Sequence, residues 1–272
     1  MKLLIIDGHN YLFRSYYGVP PQKRDGGPHL VYTFLSSLRR MVDTLNPTHL
    51  AIVFDSETGT AVKKGVREEY KATRQEHDNE VFVQKKVLDA VLKKIGIFTL
   101  EHADYEGDDV IGSLAVQCAQ KGLNINIASA DFDFSQLVNE QISLIREHKG
   151  VYDIVTPQRI KERFGIQPIQ YVDYISLKGD NSDNIKGIKG VGPKVARQLI
   201  DRWGSLETLL ENCDYLPEKW ARLFENEQER IISVRNFLRI NSALALLPES
   251  SQAFEFSHQS LMTPTRYIID SI

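Results

Sequence analysis

The chain has 272 residues, 42% of them apolar, and a formal net charge of −3. That length allows one large domain or a core with a smaller annex, and no apolar run approaches the ~20 residues of a membrane span. The start MKLLIIDGHN has no basic region followed by a long apolar stretch, so a soluble cytoplasmic protein is expected, with no membrane partner. Cys118 and Cys213 lack metal-type spacing and read as buried small apolar residues, not as a disulfide or a zinc pair. Net acidity argues weakly against a nucleic-acid partner. Setting aside the nine acids singled out below turns −3 into +6, so the distribution of charge says more than its sum.

In chain order, short strand-type runs alternate with amphipathic helical stretches. Lys2 to Ile6 is expected as strand, Val31 to Leu45 as helix, His49 to Phe54 as strand, and Val83 to Ile95 as helix. Ile97 to Leu100 follows as strand, Asp108 to Lys121 as helix, and Ile125 to Ser129 as strand. This alternation predicts an α/β core with a mostly parallel central sheet flanked by helices. From about Thr156 the pattern becomes helices punctuated by glycine, and the next strand is expected only at Ala253 to Phe256. The boundaries drawn are residues 1–165 for the core and 166–272 for a mainly helical region. The polar stretch from about 56 to 84 is too long for a common α/β connection and reads as a functional excursion. The tail from Ser242 onward carries no legible signal.

In parallel sheets ligands collect beyond the carboxyl ends of the strands. Three runs are expected to deliver acid there: LLIID at Asp7, AIVFD at Asp55 and INIASAD at Asp131. Further acids cluster as Glu106, Asp108 and Asp109 in YEGDD, as Asp133 in SADFD, and as Asp180 and Asp183 in GDNSD. So many like charges in one place raise one another's pKa and are sustained when cations lie among them. Oxygen donors without histidine or cysteine suit Mg²⁺ or Mn²⁺, two or more ions. The matching chemistry is hydrolysis of a phosphodiester by two ions ~3.5–4 Å apart. Taken singly, each acid has a local alternative: Glu106 and Asp108 as partners of a helix dipole, Asp180 and Asp183 as turn residues.

The excursion carries Lys63, Lys64, Arg67, Tyr70, Lys71 and Arg74. Lys71 and Arg74, three apart, share a face on a helix and can grip one phosphate. Phe13 and Arg14 follow the first strand and can stack on or clamp nucleic acid, although Phe13 fits core packing nearly as well. In GIKGVGPKVARQL, Gly190 and Gly192 sit where a tight turn meets a helix start, an arrangement whose N–H groups bind phosphate. Lys186, Lys189, Lys194 and Arg197 add charge that tracks duplex DNA without reading sequence. The seven histidines show no shared spacing and are given no catalytic role.

Taken in order, LLIIDGHNYLFRS, AIVFDSE, YKATR, YEGDDVIGSLA, SADFDFSQLV and GDNSDNIKGIKGVGPKVA resemble the 5′ nuclease family, which includes the N-terminal domain of bacterial DNA polymerase I and the flap endonucleases. The likeness is greatest to stand-alone bacterial members. It implies a PIN-like nuclease core, a helical arch at about 56–84 and a helix-hairpin-helix at about 174–202. It further implies that Asp7, Asp55, Glu106 and Asp108 hold a first metal with Asp109 close by. Asp131, Asp133, Asp180 and Asp183 would hold a second, and K⁺ would sit at the hairpin. Lys71 and Arg74 become catalytic residues of the arch, and Tyr70, Phe13, Arg14 and the hairpin residues become DNA contacts. The expected activity is that of a monomeric 5′-3′ exonuclease and flap endonuclease, acting on flapped, nicked or tailed duplexes, RNA-primed DNA included, in replication or repair. The alternatives are a catalytically weak junction binder and a PIN-type RNase. Two departures stand out: Phe132 replaces the basic residue usual between the two aspartates, and no proline-rich turn follows YKATR.

Overall fold

The first strand, β1 (Lys2–Asp7), buries Leu3 and Ile5 in one apolar cluster and Leu4 and Ile6 in another, because successive side chains leave a strand on opposite faces. A strand covered on both faces reads as an unbroken apolar run, and each fully buried Leu or Ile contributes roughly 1.5–3 kcal/mol. In the computed structural model, which describes residues 1–24, 27–56, 78–245, 248 and 251–272, this strand lies at the middle of the molecule.

Around it runs a six-stranded sheet in the order β3-β2-β1-β4-β5-β6, formed with β2 (His49–Asp55), β3 (Phe98–His102), β4 (Asn124–Ala128), β5 (Ile142–His148) and β6 (Val151–Val155). All neighbours are parallel except β5 and β6. Helices α1 (Gly8–Tyr17), α2 (His29–Leu45) and α3 (Asn79–Lys94) cover one face with Leu12, Phe34, Leu35, Leu88 and Leu92. On the other face, α4 (Gly107–Gln120) packs Val110, Ile111 and Leu114 against β1 and β2. The chain leaves β1 toward β2 and β3 and then returns to place β4 on β1's other side. This reversal opens a crevice beyond the carboxyl ends of β1 and β4.

Beyond the sheet come α5 (Pro157–Phe164), α6 (Tyr171–Lys178), a ribbon of β7 (Gly179–Asp180) with β8 (Ile185–Lys186), then α7 (Pro193–Trp203), α8 (Leu206–Glu211) and α9 (Glu218–Leu238). Ile188, Val191, Ile200 and Phe224 join the α4-side cluster, so this helical region shares its core with the sheet. The tail then wraps around to the other face. Phe254 meets Phe98 edge-on at 4.8 Å, and Glu255 bridges to His49. Helices α10 (His258–Met262) and α11 (Thr265–Ile269) are tied to α2 by Arg39, which donates to the Leu261 and Thr263 carbonyls and to Thr265 Oγ1.

Several expectations shift. Strands β5 and β6 were not foreseen, because IREH and VYDIV lack apolar alternation; β6 is held by its pairing with β5 and is largely exposed. The strand expected at Ala253 to Phe256 is instead a 3₁₀ turn, Ser251–Phe254, followed by the single bridge at Glu255. Residues 79–84, counted with the excursion, begin α3 behind an Asp78 cap that accepts from the Glu80 N–H. Strand β4 ends at Ala128, so Asp131 lies three residues past the strand instead of closing it. Both cysteines are buried and unbridged, and no helix among the described residues is long and apolar enough to cross a membrane.

Candidate metal centre and nucleic-acid interface

Asp7 closes β1 and caps the helix that follows: its Oδ1 accepts the Asn10 N–H at 3.0 Å, while Oδ2 accepts the Ser129 hydroxyl at 2.7 Å. The same hydroxyl accepts the Asp131 N–H at 3.1 Å, so one serine after β4 ties Asp131 to the end of β1. Asn10 adds a second tie by accepting the Ala130 N–H at 3.2 Å. Burial pushes the Asp7 carboxyl up to about 6 against the pull of these hydrogen bonds, and the charges of Asp55 and Asp131 push it further the same way. Both neighbours therefore act on Asp7 as like charges.

Asp55, at the end of β2, accepts the Gly107 N–H at 2.6 Å and so supplies the negative charge at the start of α4. A Cβ at Gly107 would stand 2.7 Å from Asp55 Oδ1, which is why this first helical position is glycine. Glu106, at 2% exposure, is thereby brought beside Asp55, and Asp108 lies in the same first turn. The Asp55 N–H donates to His9 Nδ1 at 2.8 Å. A ring nitrogen that accepts cannot also donate to the Asp55 Oδ2 3.6 Å away, so His9 positions the backbone of Asp55 instead of neutralising its charge.

Asp131, Asp133, Asp180 and Asp183 line an open depression of ≈ 460 Å³ together with Asn10, Lys178 and others. Asp131 caps the 3₁₀ turn Phe132–Leu137 by accepting the Asp133 N–H at 2.9 Å. Asp180 accepts the Ser182 N–H at 2.8 Å and also its hydroxyl, as the turn reading anticipates, yet it still faces the depression. Tyr171 lies against these acids: burial raises its phenol well above the usual range, and Asp133, Asp131 and Asp180 raise it further.

Asp109 also reaches the segment after α9. It accepts the Asn241 N–H at 2.8 Å and is 6% exposed, in a network where Ser113 donates to the Asn241 carbonyl and accepts the Leu244 N–H. Arg14, expected as a nucleic-acid clamp, is engaged within the chain. It is held by Glu147 on β5 at 2.9 Å, and that carboxylate is 2% exposed, so the pair neutralises a buried charge. Phe13 is partly buried, with His9 at 5.6 Å and Tyr17 at 6.5 Å. Among the described residues no three His, Cys, Asp or Glu side chains converge as a ready-made metal cage.

The hairpin between β8 and α7 has the anticipated form. Gly190 takes φ +88°, a conformation that favours glycine, and Gly192 stands in extended backbone at the N-cap of α7 ahead of Pro193. Lys186, Lys189, Lys194 and Arg197 are all exposed around it. Arg230 on α9 secures the hairpin by donating to the Lys186 carbonyl at 2.7 Å and the Gly187 carbonyl at 3.3 Å. Tyr70, Lys71 and Arg74, with Lys63, Lys64 and Arg67, lie outside the described residues.

Residues not singled out from the sequence prove integral to this edge: His9, Asn10, Ser129, Tyr171, Lys178 and two arginines, Arg146 and Arg163. Only His9 and Asn10 carried a sequence signal, since they follow Asp7 directly at the strand-to-helix turn.

The sequence matches the model of the 5′-3′ exonuclease N-terminal resolvase-like domain over residues 2–165 and that of the 5′-3′ exonuclease C-terminal SAM fold over 166–260. It is 34% identical over 229 residues to a 5′-3′ exonuclease of Aquifex aeolicus, covering 84% of this chain and 78% of that protein. It is 35% identical to DNA polymerase I of Bacillus subtilis over 80% of this chain, but it spans only 25% of the polymerase's length. Among solved structures, T5 5′-exonuclease with bound divalent metal ions (zinc) superposes with TM-score 0.73 at 18% identity, covering 99% of both chains. The catalytic core of Rad2 in complex with DNA substrate superposes at 0.60 with 13% identity, covering 96% of this chain and 85% of that one. These last two likenesses speak to fold. Two consecutive family models that together account for residues 2–260, and a relative at 34% identity across most of both chains, place this protein in the 5′-3′ exonuclease family.

Proposed function

We propose that the chain is a divalent-metal-dependent 5′ nuclease, both 5′-3′ exonuclease and flap endonuclease, that hydrolyses DNA phosphodiesters near single-strand/double-strand junctions. The observation that carries this reading is the convergence of acids on one crevice. Asp7 feels Asp55 and Asp131 as like charges, and Asp131 continues into the depression lined by Asp133, Asp180 and Asp183. The donors are oxygens alone, which fits Mg²⁺ or Mn²⁺. Asp7, Asp55, Glu106 and Asp108 would hold one ion, and Asp131, Asp133, Asp180 and Asp183 a second, with Asp109 left to its scaffolding role. Bound there, two such ions supply an activated water and stabilise the leaving oxygen.

The chain's own groups fix the acids in place. Ser129 joins Asp7 to Asp131, and Gly107 with His9 orients Asp55. The exposed lysines and Arg197 of the hairpin hold duplex phosphates, and a K⁺ ion at that turn adds to them. Lys71 and Arg74, with Tyr70, would grip the scissile phosphate from the excursion. In this reading residues 1–165 cut and 166–272 hold the duplex, and the protein works as a monomer in the cytoplasm during replication or repair. Both T5 5′-exonuclease with bound divalent metal ions and Rad2 with DNA substrate support it by their likeness of fold.

The deciding experiment maps products from a 5′-labelled double-flap duplex with and without Mg²⁺. Cuts within a nucleotide or so of the junction, present only with the ion, are expected. Absence of junction cleavage with either Mg²⁺ or Mn²⁺, or preferential cleavage of single-stranded RNA, would overturn the proposal.

A further inference from the structure

Phe132 stands between Asp131 and Asp133, and the structure shows what the ring does there. The Arg146 guanidinium from β5 lies over it at 3.9 Å from the centroid, and that of Arg163 from α5 at 4.4 Å. Phe164 braces Phe132 edge-on at 5.6 Å and is in turn packed against Tyr171 at 5.4 Å. Arg146 is further held by donating Nε–H to the Ala130 carbonyl at 3.3 Å. One ring therefore gathers two cations that would otherwise repel, since the negative face of an aromatic attracts both.

Neither arginine has an ion-pair partner among the described residues, whereas Arg159, on the same helix as Arg163, pairs with Asp153 at 3.8 Å and Glu162 at 4.0 Å. Arg163 is exposed and lines the depression together with Asp131, Asp133, Asp180 and Asp183. The same residue and Phe132 also line a second hollow of ≈ 250 Å³ on the side of Asp153 and Arg159. Arg163 and Phe132 thus stand between the acidic depression and the second hollow, with the half-buried Arg146 stacked on the same ring. Planar guanidinium donors there suit the oxygens of a phosphodiester, which carboxylates alone would repel.

We propose that Arg146 and Arg163, platformed by Phe132, form a phosphate clamp for the DNA strand lying over the second acid group. The clamp rests on the nuclease reading above. It adds a contact that comes from β5 and α5 instead of from the excursion or the hairpin.

The test compares wild type with Arg163→Ala, Arg163→Lys and Phe132→Leu. Flap-duplex affinity and its salt dependence are measured with Ca²⁺, and kcat and KM with Mg²⁺. Arg163→Ala should weaken binding about tenfold and lower the log–log salt slope by about 0.9, the amount one phosphate contact contributes. KM should rise with kcat within about twofold, as expected when uniform binding is lost. Arg163→Lys should recover most of the slope but less of the affinity, because it keeps the charge without the planar stack. Phe132→Leu should act like Arg163→Ala but more weakly. Unchanged affinity and slope in Arg163→Ala, with wild type cutting normally, would remove the clamp and leave the nuclease reading intact. A shifted Mg²⁺ requirement without any change in DNA affinity would instead make Arg163 a counter-charge for the acids, which also overturns the clamp. Loss of cleavage in wild type itself would overturn the nuclease reading, while the salt slope would still report on the clamp.

Discussion

Two aspartates in this molecule, the half-buried Asp7 and the buried Asp173, have their carboxyls raised by desolvation, yet they live in opposite company. Asp173, on α6, accepts the Leu206 N–H at 2.9 Å and has the Arg235 guanidinium 3.8 Å away, itself paired with Glu207. Asp7 accepts from a hydroxyl and an N–H, and the charges of Asp55 and Asp131 push its carboxyl up. A carboxylate furnished with a cation by its own chain is scaffolding, since the pair satisfies itself on folding. A carboxylate surrounded by its own kind is poised for a cation from outside. This contrast separates site from support at one sheet edge, where counting acids does not.

The sharpest way to break the comparison is to neutralise one member of each group. Asp7→Asn should lower flap cleavage by at least about 10³-fold, some 4 kcal/mol of transition-state stabilisation, with DNA affinity near normal. The same change removes repulsion, so the metal-free variant should melt no lower than wild type. Arg235→Met should do the reverse. Leaving Asp173 buried without its cation costs about 3 kcal/mol of stability by chemical denaturation, while turnover per folded molecule stays unchanged. A poorly cutting Arg235→Met that melts normally would refute the division.

The comparison is sharpened by pH. Because the Asp7 carboxyl is raised from 3.8 to about 6, the folded protein binds more protons than the unfolded chain between those values. Its contribution to stability is therefore present at low pH and is lost as pH rises from about 4 to about 6, by about 2–3 kcal/mol without metal. Asp7→Asn should flatten that part of the curve. Mg²⁺ or Mn²⁺ at about 100 times its Kd should restore about 2.7 kcal/mol to wild type, more clearly at pH 8 than at pH 5. A metal-free wild type that grows more stable from pH 4 to 6 relative to Asp7→Asn would contradict the assignment.

The parts of this fold that were legible are those whose information is local. β1, β2 and α2 announce themselves because continuous apolar runs and 3.6-residue periodicity are carried by neighbouring letters. The tail was opaque because Phe254, Leu261 and Ile268 are scattered apolar residues whose partners, Phe98 and α2, lie far back in the chain. β6 was opaque because its exposed residues owe their form to pairing with β5. The site divides the same way. Its acids could be picked out by type, but the serine that joins Asp7 to Asp131 acts across 122 residues, and the arginines over Phe132 come from other elements.

Asp108 and Asp109 show the limit most narrowly, for adjacent letters on a helix point about 100° apart and nothing local says which faces the crevice. The structure turns Asp109 toward Asn241. Asp109→Asn keeps an amide oxygen to accept that N–H, so cleavage should stay near the wild-type rate. Asp109→Ala leaves the Asn241 N–H without its acceptor and should cost about 1–2 kcal/mol of stability while each folded molecule still cuts. Side-by-side titration of Asp108→Asn and Asp109→Asn with Mg²⁺ in a flap-cleavage assay decides the matter. If Asp109→Asn loses cleavage as deeply as its neighbour while melting normally, Asp109 belongs with the metal-binding acids and not with the support.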